Sequence, residues 1–225
     1  MPAQGTAPRA TLDLKVRVWG MGSNEQPFHQ TAMAQNVSIT GACIYGIETE
    51  LKVGDVIGVQ FESKKARCKI VWVTDAGAAK KTQIGVELVR DQICPWRSAL
   101  PASMHTQEWV QQPPDNRRRF TRHKISFPLE VRDERVNTPL RVNATDISGN
   151  GCYVETVMPL PVGTALRVDL WIGNERVSPT ATVRTQDPGV GMGIEFTGLA
   201  EELKKRFQEH LEKIDPGALR GKDNS

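Results

Sequence analysis

The chain has 225 residues, long for one small domain and comfortable for two of roughly 100 each. Hydrophobic residues make up 39% and charged residues 24%, the balance of an ordinary globular protein. The net charge of +3 and the pI of about 8.7 are too mild to argue for a nucleic-acid protein, and no apolar run approaches the roughly 20 residues of a membrane span.

The N-terminal stretch MPAQGTAPRATLDLK has no apolar h-region, so a cytoplasmic protein is expected. Strand-like segments follow. Residues 35–47 read QNVSITGACIYGI, with Asn36, Ser38 and Gly41 in an N-x-S-x-x-G pattern. LKVGDVIGVQF (51–61), IVWV (70–73) and IGVEL (84–88) come next. The Val-Gly pair before the 56–61 segment predicts a tight turn entering a strand. A short helix is weakly signalled at 92–100. LPASMHTQEWVQQPPDN (100–116) carries three prolines and little periodicity, and reads as a linker.

RRRFTR (117–122) then puts four arginines into six positions. SFPLEVR (126–132) and LRVNATD (140–146) read as a hairpin that carries the chain out and back. The block TDISGNGCYVETV (145–157) repeats the earlier pattern through Asp146, Ser148 and Gly151. The match continues: LPVGTALRVDL (160–170), ATVRT (181–185) and MGIEF (192–196) answer the three earlier segments in order. Gly41 to Gly85 is 44 positions and Gly151 to Gly193 is 42. One β domain is therefore present twice. Each copy reads as about six short strands, which suggests a barrel or sandwich. In ALRVDLWI, Leu166, Val168, Leu170 and Ile172 alternate with Arg167, Asp169 and Trp171, so one face is core and the other outward.

The expected organisation is all-β: two six-stranded β-barrels in tandem with a C-terminal α-helix. The first unit spans 1–99, the linker 100–116 and the second unit 117–216. The helix is expected at about 199–214, where Leu199, Leu203, Phe207, Leu211 and Ile214 form an apolar stripe and Pro216-Gly217 stops it. The four cysteines form no CxxC pair, and no histidine lies at metal-ligand spacing from them. They read as small buried hydrophobes.

Arg118 and Arg122 are spaced R-x-x-x-R, and Asp146, Ser148 and Gly151 follow across the hairpin. On these motifs residues 117 to about 197 resemble a PilZ domain, a family marked by RxxxR followed by (D/N)xSxxG on a six-stranded β-barrel. All five motif positions are filled. The first copy resembles the same fold but lacks the arginine pair: only Arg9 stands upstream of its first strand. The resemblance implies a receptor for cyclic di-GMP, with Arg118, Arg122, Asp146, Ser148 and Gly151 on the ligand and Arg117 and Arg119 as supporting charge or further contacts. It implies regulation of motility, exopolysaccharide or biofilm, through a change in inter-domain arrangement or binding of an effector protein.

The residue chemistry suits that ligand. A guanidinium can bond bidentately to guanine O6 and N7, stack on a base or grip a phosphate. A carboxylate accepts from guanine N1–H and N2–H, which arginine cannot do. Residues 115–124 carry five cations against one acid, a field that attracts an anion. The first copy is expected not to bind the ligand well, leaving dimerisation or partner contact as its work. A solvated basic run would explain the arginines but not the downstream motif. A nucleic-acid arm would need a wider basic surface or exposed aromatics. A tandem scaffold that binds no ligand is the rival reading. No nucleophile elbow, P-loop or metal motif appears, so no enzyme, metal or cofactor is expected.

Overall fold

The computed structural model describes residues 8–75, 82–105, 119–135 and 138–215, and divides into two compact units, one per barrel. In the first, six strands form a closed antiparallel barrel: β1 (Leu14–Met21), β2 (Pro27–Gln35), β3 (Gly41–Ile47), β4 (Val56–Phe61), β5 (Lys64–Asp75) and β6 (Thr82–Leu88). Their order around the ring is β1-β2-β3-β6-β5-β4, and β1 pairs with β4 to close it. Period-2 alternation fills the interior with Val16, Val18, Ile44, Ile57, Val59, Ile70 and Ile84.

The second unit is built from β7 (Phe127–Asp133), β8 (Pro139–Ser148), β9 (Gly151–Glu155), β10 (Ala165–Ile172), β11 (Glu175–Val177), β12 (Thr180–Asp187) and β13 (Gly191–Phe196). Six of them run β7-β8-β9-β13-β12-β10, with β10 pairing back onto β7. That is the ring order of the first barrel, strand for strand, so the duplication read from the sequence is a duplication of topology. The seventh, β11, is a short addition that pairs with the end of β10 at Leu170–Ile172. Gly54 and Gly163 each precede the fourth strand of their barrel with φ of +100° and +89°, which suits the turn predicted at the first Val-Gly pair and repeats it at the second.

Two details depart from the periodicity reading. Asp169 alternates with core residues yet is buried, because Arg176 donates to it at 2.6 Å and Ser178 bonds its other oxygen. The 92–100 segment forms one short 3-10 turn at Arg97–Ala99 in place of a helix. Trp96 and Leu100 are buried in the first core. Of the cysteines, Cys68, Cys94 and Cys152 are buried, whereas Cys43 is only half-buried. Burial pushes the Cys94 thiol up to about 11 and the Cys152 thiol to about 12. The helix α1 (Glu201–Ile214) buries Phe207 and Leu211 against the second core, where Phe207 meets Phe127 edge-on with ring centroids 5.5 Å apart. Leu199 is buried in the same core, Leu203 is partly buried against it and Ile214 is exposed, so the stripe reaches the barrel over all but its last residue. No helix among the described residues is long and apolar enough to cross a membrane.

Candidate functional site

Ala144 and Ile147 are both fully buried, although strand alternation sends residues three apart to opposite faces. The conflict is resolved by a register shift between Ala144 and Asp146 in the β8–β9 pairing. This bulge turns Asp146 out of the phase that would carry it into the apolar interior. In the first barrel Ala34 and Val37 are likewise fully buried, and between them Asn36 is held at φ +48°. Asparagine tolerates that left-handed conformation better than most residues.

The chain upstream of each barrel is tied to this point by a single antiparallel bridge. His123 exchanges both backbone hydrogen bonds with Ile147, at 2.7 and 3.0 Å. Ala10 does the same with Val37, at 2.8 and 3.0 Å. Antiparallel register then sets Arg122 across from Ser148 and Lys124 across from Asp146. The ammonium of Lys124 bonds Asp146 Oδ1, and the aspartate side chain is 5% exposed. By the same register Arg9 stands in the first barrel where Arg122 stands in the second. Both are exposed. Their charges are felt at neighbouring thiols: Arg122 opposes the burial-driven rise at Cys152, and Arg9 opposes that at Cys43. Arg117 and Arg118 lie outside the described residues.

Ser148 and Gly151 hold the turn. Ser148 Oγ donates to the Gly151 carbonyl and accepts from the Asn150 amide, both at 3.4 Å. In the first copy Ser38 Oγ donates to the Gly41 carbonyl and accepts from the Gly41 amide, both at 3.1 Å. A Cβ on Gly151 would lie 2.1 Å from the Ile194 carbonyl oxygen, and one on Gly41 would lie 2.2 Å from that of Val86. The motif glycine therefore lets the third strand of the ring approach the last. That need exists in both copies, whatever either of them binds.

A polar network missed in the sequence covers the second turn. Gln208 of α1 is buried and accepts from the Gly149 amide at 3.0 Å. Its Nε2 donates to the Thr121 carbonyl at 3.0 Å and lies 2.9 Å from His123 Nε2. With the amide oxygen committed to Gly149, the amide nitrogen is the donor, so His123 Nε2 accepts and Nδ1–H donates to Asp215 Oδ2 at 2.7 Å. Phe120 lies against the same turn, 3.4 Å from a Cβ position on Gly149. Arg119 reaches Glu201 at the start of α1, at 2.5 Å. The first barrel pins its turn by other means: the Trp96 indole N–H donates to the Ser38 carbonyl at 2.8 Å.

The arrangement suits an anion carrying hydrogen-bond donors. Arg122 and Lys124 edge the second turn, and Asp146 stands beside them as acceptor. Among the described residues no group of three His, Cys, Asp or Glu side chains could hold a metal ion.

Residues 116–213 match the family model described as PilZ domain. No curated protein matches the chain in sequence. Among solved structures, the complex of K. pneumonia MrkH with c-di-GMP is 13% identical, with 92% of this chain and 90% of that one covered and a TM-score of 0.42. YcgR from Escherichia coli in complex with c-di-GMP is 13% identical, with 93% and 87% covered and a TM-score of 0.40. The inhibitor of motility MotI/DgrA of Bacillus subtilis is 15% identical, with 94% and 97% covered and a TM-score of 0.38.

Proposed function

We propose that this chain, which carries a PilZ domain at residues 116–213, is a receptor for cyclic di-GMP, with the second barrel as its binding unit. The observation that carries the reading is the His123–Ile147 bridge, which sets the arginine-bearing segment along the Asp146–Gly151 turn. Arg118 and Arg122 supply forks for guanine O6 and N7 or for the phosphodiesters. Asp146 supplies the acceptor for guanine N1–H and N2–H. Ser148 and Gly151 keep the turn in shape. Arg117 and Arg119 add attractive field, and Arg119 is also steadied by Glu201.

The first barrel keeps the motif serine and glycine for folding, and Gly5 stands where an arginine paired with Arg9 would be. It is read as the output or contact unit. Binding at 118–122, next to the inter-barrel segment, changes the arrangement of the two units or the affinity for an effector protein. The processes controlled are motility, exopolysaccharide or biofilm, in the cytoplasm and without catalysis.

Calorimetry with cyclic di-GMP tests the reading. Wild type is expected to bind, and Arg118→Ala and Arg122→Ala to lose most of the affinity. No heat with wild type would favour a tandem scaffold that works through protein contacts alone.

A further inference from the structure

In the structure the Asp146 carboxylate is already engaged. Its side chain is 5% exposed, and the Lys124 ammonium rests on Oδ1. With the carboxylate covered to that degree, the paired N–H donors of a guanine edge reach it only after the ammonium moves. We infer that Lys124 is a further residue of the binding site, one that changes partners: it yields Asp146 to guanine and passes to a phosphodiester oxygen of the same ligand. This inference rests on the cyclic di-GMP reading above.

Three observations support it. The His123–Ile147 bridge sets Lys124 opposite Asp146, so the contact is built into the backbone register. Exposed Arg122 and Lys124 flank buried His123, so in extended chain both project on the same side, roughly 6–7 Å apart. The lysine thus lies alongside the arginine assigned to the anion. Finally, the Lys124 side chain is 30% exposed against 5% for Asp146, so the ammonium has room to swing and the carboxylate does not.

The exchange leaves no group stranded. Stripping a cation from a nearly buried carboxylate is costly unless new donors replace it, and guanine N1–H and N2–H are such donors. The ammonium trades a carboxylate for a phosphodiester. A compact ammonium on a flexible stem can re-aim in this way, whereas a guanidinium would hold the carboxylate as a fork.

The test is calorimetry with cyclic di-GMP on the full chain, in wild type, Lys124→Met, Asp146→Asn and the double variant, with thermal melts to verify folding. In wild type the lysine's contact in the complex is offset by the contact it gives up. In Asp146→Asn that offset is largely gone. Lys124→Met should therefore weaken binding about 3-fold in wild type and at least about 10-fold in the Asp146→Asn background. Equal losses, or a smaller loss in the Asp146→Asn background, overturn the exchange. If Asp146→Asn binds too weakly to measure, Lys124→Arg decides: a fork held on Asp146 should weaken binding about 5-fold at unchanged net charge, and wild-type affinity overturns the exchange. Absence of binding by wild type overturns the cyclic di-GMP reading itself, whereas wild-type binding with equal losses overturns the exchange alone.

Discussion

Gln208 of the C-terminal helix holds Gly149 with its amide oxygen and Thr121 with its amide nitrogen, so one side chain joins the motif turn to the segment that carries Arg122. Replacing it by leucine keeps the bulk and abandons a buried N–H and a carbonyl. Each buried polar group left unpaired costs about 1–3 kcal/mol, so Gln208→Leu should destabilise the second unit by about 2–4 kcal/mol. Urea unfolding followed by a probe confined to that unit measures it. A loss under about 0.5 kcal/mol would mean that the network holds nothing.

The glycines of the two motifs should behave alike in folding and differently in binding. Alanine at either position drives a methyl into a carbonyl oxygen, at 2.1 Å for Gly151 and 2.2 Å for Gly41. Overpacking of this kind costs about 1–3 kcal/mol or more. Gly41→Ala should lower the stability of the first unit and leave cyclic di-GMP affinity within about 2-fold of wild type. Gly151→Ala should lower both stability and affinity. Differential scanning calorimetry paired with titration separates the two effects.

Arg9 and Arg122 occupy one register position in two similar rings, so they form a matched pair of controls. Arg122→Ala should weaken cyclic di-GMP binding by about 10–100-fold, the worth of one or two charge-assisted hydrogen bonds, without moving the melting temperature. Arg9→Ala should change neither. Titration of both variants checks this, and an equal loss from Arg9→Ala would place ligand on the first barrel as well.

Asp169 sets an acid limit on the second barrel. Burial works to raise its pKa, but hydrogen bonds from Ser178 and Arg176, with the charges of Arg176 and Arg132, outweigh it and hold the carboxyl below the ordinary carboxylate range. A folded-state pKa below the unfolded value near 3.9 means the ionised form is favoured by folding. The resulting stability is fully present above about pH 4 to 5 and is lost as pH falls through the folded pKa. Asp169→Ala should cost about 1–3 kcal/mol at pH 7 in urea unfolding, and the gap from wild type should shrink below about pH 4. A gap that is constant with pH would assign the loss to packing.

What the sequence disclosed was whatever is written locally. Alternation along 165–172, the Val-Gly turns and the stripe of the helix each lie within sixteen residues, and the doubled order of segments revealed two rings. What stayed hidden depends on register between distant strands. Lys124 entered the sequence reading only as one charge among ten residues, because its place opposite Asp146 exists only once His123 meets Ile147. Gln208 sits among charged helix residues and is marked by nothing until the Gly149 amide and the Thr121 carbonyl come to it. Asp169 looked outward by alternation, and Arg176 with Ser178 reversed that. Ser148 and Gly151 were read as ligand residues, and the part they play in the turn, shared with Ser38 and Gly41, came from hydrogen bonds and a close approach that only the fold shows.

The pairing of each motif glycine with a carbonyl of the closing strand has a bearing on how such chains are told apart. The S-x-x-G half of the signature answers to ring closure, so it would persist in a descendant that had stopped responding to any nucleotide. The basic row ahead of the ring takes no part in that glycine–carbonyl contact. A survey that scores chains on the glycine half alone would gather barrels, and would count mute copies among the responsive ones. Along the bridge this chain has Arg-His-Lys in one copy and Arg-Ala-Thr in the other, so the arginine is shared and the two residues after it are the ones that tell the copies apart.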